Sequence, residues 1–443
     1  MTFRPGRRLP ALVLALVTGL APLGLAAGSA SAGVAHSKVV SANPQDNTPH
    51  VVDVDSPADR DDAPDDNYVY AIAQVGNKII AGGVFDHVRD NGSSKQIPRR
   101  NIFAFDRYTG KVDLSFKPVL DGQVRTLVAG ADGASVYVGG TFGTVNGTRR
   151  YKLVKLRTSD GSVVTGFNPG IIDKAVYDAK LVAGRLFVGG EFESVGGRSR
   201  QRLAELDPAT GALKPLSLAI TGTHNGGTTQ VYKLAVANGR MVITGNFSSV
   251  AGQTRYQVAM VNVAVSPPTL VNWAAPDFAA ICTTSSVFPF YVRDVDFSPD
   301  GKYFVIVTTG THGGGPPKLC DTATRWETGA TGTNVQETWA NYTGGDTLHS
   351  VNVTGAAVYV GGHQRWMNNP EGRNNAGPGA IERSGIAALA AADGAVLPWN
   401  PGRWDRGRGV FELLSTGAGL WVGSDTSTIG GETHGLIAFM PLA

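Results

Sequence analysis

The sequence predicts an all-β protein built from one repeated unit. Glycine supplies 58 of the 443 residues, only 17% of residues are charged, and no segment shows the periodicity of a long amphipathic helix. An apolar, strand-like run that ends in paired glycines recurs along the chain, at intervals of 50–64 residues. Its first glycine, or the residue in that place in the weaker copies, is Gly82, Gly139, Gly189, Thr244, Thr308, Gly361 and Gly423. This spacing predicts seven structural repeats.

Each repeat contains signals for four short strands. In the second repeat the strand Val124 to Ala129 meets an Asp-Gly turn, and "VYVGGTF", a polar loop and the strand "KLVKL" follow. A second Asp-Gly turn leads to "GFNPG". Four short strands joined by such turns are typical of a propeller blade. The predicted fold is therefore a seven-bladed β-propeller with four-stranded antiparallel blades that stack to bury their faces.

The paired glycines have a predicted structural role. We expect them where a Cβ would collide with the adjacent blade or block a bent turn, and we expect the aromatic residue that follows to fill the gap between blades. A phosphate site is not expected, because no helix follows the glycines.

The two chain ends are predicted to close the ring together. Only three strands can be placed from Gly409 onward, so the last blade lacks its fourth. The segment His50 to Asp55, "HVVDVD", is expected to join that blade as an N-terminal closing strand. The acidic run Asp53 to Asp66 is interpreted as a connector, since it lacks the spacing of a calcium loop.

The first 32 residues have the order of a secretory signal peptide. Arg4, Arg7 and Arg8 precede an apolar stretch from Leu9 to Leu25, and Ala30-Ser31-Ala32 offers a cleavage site. We expect a flexible segment at 33–48, a propeller domain at 49–443, and a secreted product, extracellular or associated with the cell surface. No membrane span is expected. The formal net charge of +3 does not favour nucleic-acid partners, and the oligomeric state stays open.

The repeat resembles a known family. The segment that begins "VYVGGTFGTVNGTRRYKLVKL" is similar to the delta-60 repeat, which forms bacterial secreted β-propellers of undefined function. The resemblance is clear in the repeats at Gly82, Gly139 and Gly189, partial at Thr244, and lost in the later ones. It implies the fold and the compartment, and it brings no set of catalytic residues.

Two features distinguish the second half of the chain. The only cysteines, Cys282 and Cys320, are expected to form a disulfide, because an oxidising compartment favours it and both fall in loops at one face. Long loops there carry the candidate ligand-binding residues, which are His312, His363, Arg365, Trp366, Arg403, Trp404 and Arg406. Tryptophan and arginine together fit stacking on sugar rings or holding a carboxylate, although they would also serve as loop packing. His349 is expected to be a core histidine, with a channel-facing position as the alternative.

No catalytic motif, metal site or cofactor is predicted. The sequence lacks G-x-S-x-G, H-E-x-x-H and any histidine cluster with metal spacing. The favoured function is non-catalytic binding, or a scaffold role, with a polysaccharide or another extracellular protein as ligand. The alternative is a carbohydrate-active hydrolase or lyase that uses carboxylates on the long-loop face.

Overall fold

The structure is a computed structural model that describes residues 1–2, 33–52, 67–282, 288–310, 315–403 and 406–442. Nearly all regular structure in these ranges is antiparallel β-sheet, and the one helix among them is a 3-10 turn at Pro276–Ala279. Within the described ranges, none of the helical structure is long and apolar enough for a membrane crossing. The all-β prediction is therefore confirmed.

Seven larger sheets, numbered here in chain order, make up the described part of the chain. Sheet 1 contains the strands Tyr68–Val75, Lys78–Val84 and Ile102–Asp106, and sheet 2 contains Val124–Ala129, Ser135–Gly140 and Leu153–Arg157. Sheet 3 contains Val176–Val182, Arg185–Gly190 and Leu203–Leu206. Sheet 4 contains Gln230–Ala237, Arg240–Asn246, Val258–Asn262 and Thr269–Leu270. Sheet 5 contains Val292–Phe297, Tyr303–Thr308, Thr322–Glu327 and Trp339–Tyr342. Sheet 6 contains Leu348–Val353, Val358–Gly362 and Ile386–Leu389, and sheet 7 contains Val410–Thr416, Gly419–Ser424 and Ile437–Pro441.

The expected fourth strand is mostly reduced to a single bridge. Across the described residues, only sheets 4 and 5 have four paired strands. In the second sheet the fourth segment pairs only through Val163, which bridges Leu156, and Val112 has the same role in the first. The exits from these segments contain proline, which has no N–H to give to a ladder.

Short pairings between residues next to the larger sheets account for the remaining strands. They are His50–Val52, His87–Arg89 and Ile97–Pro98; Thr144–Val145 and Thr148–Arg149; Ser194–Val195 and Arg198–Ser199; Ile220–Thr221, Ser249–Val250 and Gln253–Thr254; Trp366–Met367 and Ile381–Glu382; and Thr428–Ile429 and Glu432–Thr433. Each hairpin among them follows the second strand of its sheet and extends the polar loop predicted from the sequence. His50–Val52 and Ile220–Thr221 instead precede the first strand and add a third strand to the hairpin beside it.

The first strands of the sheets lie side by side in chain order. Each contacts the first strand of the next sheet, and Val410–Thr416 of sheet 7 contacts Tyr68–Val75 of sheet 1. Seven hydrophobic clusters of described residues lie between consecutive sheets, including one between sheet 7 and sheet 1. The core is therefore divided among the gaps between sheets.

The paired glycines are required by close approach, as predicted. A Cβ on Gly139 would lie 2.8 Å from a methyl group of Val176 in the next sheet. A Cβ on Gly140 would lie 1.9 Å from the carbonyl oxygen of Gln123, on the loop that enters the first strand. The aromatic residue that follows, Phe142, is buried between sheets 1 and 2. Gly139 thus lets one sheet pack on the next, and Gly140 lets the loop that enters the sheet approach the end of the second strand.

The N-terminal region joins the last sheet in a different way from the one predicted. His50–Val52 does form a strand, but it pairs with His87–Arg89 beside sheet 1, and residues 53–66 lie outside the described residues. The backbone N–H groups of Ser41 and Gln45 instead donate to Pro441 and Phe439 of the last strand, at 2.8 Å each. The segment 33–48 therefore contacts the sheets along much of its length.

Candidate functional site

Each of the seven larger sheets in the described chain has a β-bulge near the start of its first strand. In sheet 1 the register shifts between Val69 and Ala71, so Tyr70 has no partner on the neighbouring strand. We call the equivalent residues the mouth ring: Tyr70, Arg125, Tyr177, Tyr232, Arg293, His349 and Phe411. Because the first strands surround the centre, the bulges place these large side chains together at its long-loop end.

Side chains of the mouth ring contact one another. The Phe411 ring centroid lies 5.3 Å from that of Tyr70 and 4.7 Å from that of His349. The guanidinium carbon of Arg125 lies 4.2 Å from the Tyr70 centroid, and Tyr177 lies 5.7 Å from Tyr232. The void at this level is only about 20 Å³. A ligand approaching from the long-loop side would therefore rest on the mouth ring rather than pass through it.

Two arginines of the mouth ring carry charge that no neighbouring carboxylate neutralises at close range. No carboxylate of the described residues lies within 4 Å of either Arg125 or Arg293. Both have a buried Nε without a hydrogen-bond partner in this part of the chain. Arg293 instead lies 4.9 Å from the Phe290 ring centroid. An arginine without a carboxylate at close range retains donors for an anionic group.

His349 lies in the mouth ring and not in the hydrophobic core, so the favoured sequence interpretation was wrong. Its Nε2 is 2.9 Å from the carbonyl oxygen of Arg408. Burial lowers the pKa of His349 to about 3, and the positive charge of Arg293 contributes in the same direction. The imidazole is therefore neutral at physiological pH and is fixed by its hydrogen bond.

A charged layer lies next to the mouth ring, further along the same strands. Asp178, Lys233, Asp294 and Glu412 each follow a mouth-ring residue directly, and Lys180 and Asp296 come two residues further along their strands. These six residues line a cavity of about 620 Å³ along the first strands. Bulges place them there, because the residue after a bulge resumes the pairing with its side chain toward the centre.

The carboxylates of this layer lie near Lys233, and they also accept hydrogen bonds from backbone N–H groups. Asp178 accepts a hydrogen bond from the N–H of Leu234 at 2.8 Å, and Asp294 accepts one from Val351 at 3.0 Å. Each bond joins one sheet to the first strand of the next. The exposed N–H groups of these inner edges are thereby paired.

Burial and mutual repulsion shape the ionisation of the layer. Burial raises the pKa of Glu412 to about 8, although the charge of Lys233, 3.8 Å away, offsets part of that effect. Burial alone would lower the pKa of Lys233, but Asp294, Glu412 and Asp178 raise it. Lys233 is therefore charged at neutral pH while Glu412 retains its proton.

Three of the predicted ligand-binding residues meet around Asp346 on the long-loop face. Arg365 makes a two-pronged ion pair with the Asp346 carboxylate, at 2.9 and 3.0 Å. Arg406 lies 3.9 Å and His363 4.0 Å from the same carboxylate. Burial lowers the pKa of His363, while Asp346 opposes that shift. The guanidinium carbon of Arg365 lies 4.3 Å from the centroid of Trp366, whose side chain is half-buried.

Of the other predicted residues that the structure describes, Arg403 does not join this group. Arg403 is 1% exposed, and its guanidinium contacts the Gly362 carbonyl at 3.3 Å and the Asp425 carboxylate at 3.7 Å. It is a buried structural residue rather than a ligand-binding one. His312 and Trp404 lie outside the described residues.

The predicted disulfide is confirmed, and it lies beside a buried carboxyl group. Cys282 and Cys320 are bonded, with their Cα atoms 5.7 Å apart. The next residue, Asp321, is 1% exposed, and burial with the nearby charge of Asp346 raises its pKa to about 7. Among the described residues, no group of three or more histidine, cysteine, aspartate or glutamate side chains is arranged to hold a metal ion.

Two segments of the chain match a family model described as a β-propeller domain of unknown function, DUF5122. The matches cover residues 135–167 and 184–213, the same part of sheets 2 and 3, and they support a β-propeller fold. No curated protein matches the chain. Among solved structures, the computationally designed protein Ika8 is similar with 11% identity and a TM-score of 0.46, over 85% of this chain and 96% of that one.

Sequence reasoning missed the mouth ring and the charged layer. A signal was present, because six of the seven first strands contain valine followed by an aromatic residue or arginine, and in four of these six the next residue belongs to the charged layer. Examples are "VRT" at Val124, "VYK" at Val231 and "VFE" at Val410. The residue types differ from repeat to repeat, so a search for one conserved chemical group does not find them.

Proposed function

We propose that this chain is a secreted, seven-bladed β-propeller that binds an acidic polysaccharide outside the cell without transforming it. The number of blades is supported by the seven sheets of the described chain and by the cluster that joins sheet 7 to sheet 1. Closure of the ring is supported by the hydrogen bonds from Ser41 and Gln45 to the last strand, where a fourth strand would run.

Secretion is supported by the sequence of the first 32 residues and by the disulfide. A basic start, an apolar stretch and a small-residue cleavage site are the features of an export signal. A structural disulfide between Cys282 and Cys320 persists in oxidising compartments and is rare elsewhere. The resemblance to the bacterial delta-60 repeat points to the same location.

The observation that carries the binding proposal is the pair of mouth-ring arginines without close carboxylate partners. The guanidinium groups of Arg125 and Arg293 lie beside the rings of Tyr70 and Phe290, and no carboxylate of the described chain is within 4 Å of either. Guanidinium groups bind carboxylate or sulfate groups with two parallel hydrogen bonds, and half-buried tyrosines offer flat apolar faces with a polar edge. An acidic sugar polymer presents both partners, with anionic groups for the arginines and ring faces for the tyrosines.

Two carboxylates of the long-loop face, Asp346 and Asp321, are poorly placed for catalysis. A hydrolase or lyase would need two accessible carboxyl groups on either side of the scissile bond. Asp346 is held by Arg365 in a two-pronged ion pair, and Asp321 is almost completely buried. Neither has the exposure that a sugar substrate requires.

A binding panel tests the proposal. Residues 33–443 are titrated by calorimetry with a uronic-acid polymer, a neutral glucan of equal length and an acidic peptide, at low and high salt. We expect the acidic polymer alone to bind, with an affinity that falls as salt rises. Binding of the neutral glucan with equal affinity would overturn the role of the arginines. Binding of the peptide alone would indicate an extracellular protein as the ligand, and turnover of the polymer would restore the enzyme alternative.

A further inference from the structure

The start of the described main segment lies in the central cavity, at Gly33. Gly33 and Val34 line the cavity together with Asp294 and Asp296 of sheet 5. A Cβ built on Gly33 would lie 3.6 Å from Oδ2 of Asp296. Bond geometry then places the backbone nitrogen of Gly33 within about 6 Å of that oxygen. The same Cβ would lie 2.9 Å from the carbonyl oxygen of Val353, so any larger residue would clash there.

The residues after Gly33 hold it in this place. The backbone N–H of His36 donates to the Thr354 carbonyl at 2.9 Å, and the His36 Nε2 lies 2.8 Å from the Thr416 carbonyl. The backbone N–H of Val40 donates to the Tyr359 hydroxyl at 2.9 Å. These contacts fasten the segment to sheets 6 and 7. The residues that follow Gly33 therefore anchor this segment beside the cavity.

Asp296 has no cation of its own in the described chain. Its carboxylate accepts hydrogen bonds from the N–H groups of Val353 and Phe297, at 2.8 and 2.9 Å, but no ion pair within 4 Å reaches it. The charge of Lys180 acts to lower the pKa of Asp296, but Lys180 is itself paired with Asp178 at 3.2 Å. Burial raises the pKa of Asp296 to about 7, which is the behaviour of a buried carboxyl group without a close counter-ion.

We propose that the cavity contains a binding site for a primary ammonium group, and that the protein's own N-terminus fills it. Cleavage after Ala32 would convert the Gly33 peptide nitrogen into an α-ammonium group beside the Asp296 carboxylate. The ammonium would pair with Asp296, so that removal of the export signal completes the charged layer. The proposal rests on the cleavage position within the proposed secretion, but the ion pair is testable on chains with defined N-termini.

The charged layer sets the conditions for this pair. The other charged residues that line the cavity with Asp296 are Arg125 of sheet 2, Asp178 and Lys180 of sheet 3, Lys233 of sheet 4, Asp294 of sheet 5 and Glu412 of sheet 7, with Asn352 from sheet 6. Lys180 is paired with Asp178 at 3.2 Å and Lys233 with Glu412 at 3.8 Å, so neither lysine is an ion-pair partner of Asp296. The pair should weaken at alkaline pH, where an α-amino group loses its proton.

A double-mutant cycle tests the proposal. One chain begins at Gly33, and the other begins one residue earlier, at Ala32. Each is made with and without Asp296→Asn. At pH 7 the added residue should lower Tm by about 3–8 °C in the wild-type background, as for loss of a buried ion pair in a chain of this size. In the Asp296→Asn background the same addition should change Tm by less than about 1 °C.

A chemical readout separates the ion pair from a packing effect. With ¹⁵N-labelled glycine, the Gly33 amine should titrate at higher pH in the wild type than in the Asp296→Asn chain. Equal titration in both chains, or the same loss of Tm from the added residue in both backgrounds, would overturn the proposal. If Asp296→Asn fails to fold, Asp296→Glu replaces it, with a weakened coupling as the expected result.

Discussion

Glu412 offers a quantitative test of the charged layer, because its ionisation opposes folding. The side chain is buried beside Lys233, yet its pKa is raised to about 8 from an ordinary value of 4.5. A carboxyl group whose pKa is higher in the folded state holds a proton that the unfolded chain releases. The free energy of unfolding should therefore fall as pH rises from about 4.5 to 8, and Glu412→Gln should remove that loss.

The magnitude follows from the difference between the two pKa values. At about 1.36 kcal/mol per pH unit, the step from 4.5 to about 8 corresponds to about 5 kcal/mol. The Glu412→Gln chain should match the wild type below pH 4.5, exceed its stability by about 3 kcal/mol at pH 7, and reach the full difference above pH 8. The attraction of Lys233 is already contained in this pKa.

Urea unfolding between pH 4.5 and 9 measures this difference, with the exposed Glu371→Gln chain as the matched control. The control should follow the wild type at every pH. A Glu412→Gln chain that is equal to or less stable than the wild type at pH 8 would refute the reasoning. That result would mean that an ionised Glu412 stabilises the fold through its pair with Lys233.

Two further predictions concern the scaffold. Gly140→Ala should destabilise the protein by about 3 kcal/mol or more in urea unfolding, because the new Cβ would meet the Gln123 carbonyl at 1.9 Å. Gly166→Ala, where a Cβ meets nothing within 4 Å, is the control, and an equal effect in both chains would refute the steric account. Reduction of Cys282–Cys320, which closes a separation of 38 residues, should cost about 4 kcal/mol of stability, measured as a fall in the urea midpoint. An unchanged midpoint would show that the loops are held by their other contacts.

The repeat could be predicted from the sequence because its glycines have a steric cause. A Cβ at Gly139 would meet Val176 of the next sheet, and one at Gly140 would meet the Gln123 carbonyl of the same sheet, so the pair marks the end of a second strand. The spacing of Cys282 and Cys320 in loops of one face likewise indicated their pairing. These signals are local in the chain and depend on one or two residues each.

The closing strand and the binding site depend on contacts between residues that are far apart in the sequence. An alternating segment such as His50–Val52 fits any free strand edge, and His87–Arg89 provides one nearer than the last sheet. The mouth ring depends on bulges, which a single sequence does not reveal when the bulged residue is tyrosine in one repeat and arginine in the next. The burial of Arg403 could not be predicted for a related reason. An arginine in a loop can be exposed or can be the buried partner of an ion pair, and the sequence alone does not distinguish the two.

Acidic-polymer affinity in an Arg125→Gln, Arg293→Gln double variant tests the central claim most directly. Its control is Arg198→Gln, an exposed arginine in the hairpin beside sheet 3. With a uronic-acid oligomer in calorimetry, the double variant should bind at least about 100-fold more weakly, as for two lost charge-assisted contacts, and its affinity should depend less on salt. The control should bind like the wild type. An unchanged affinity in the double variant would contradict the claim that the mouth ring is the binding site.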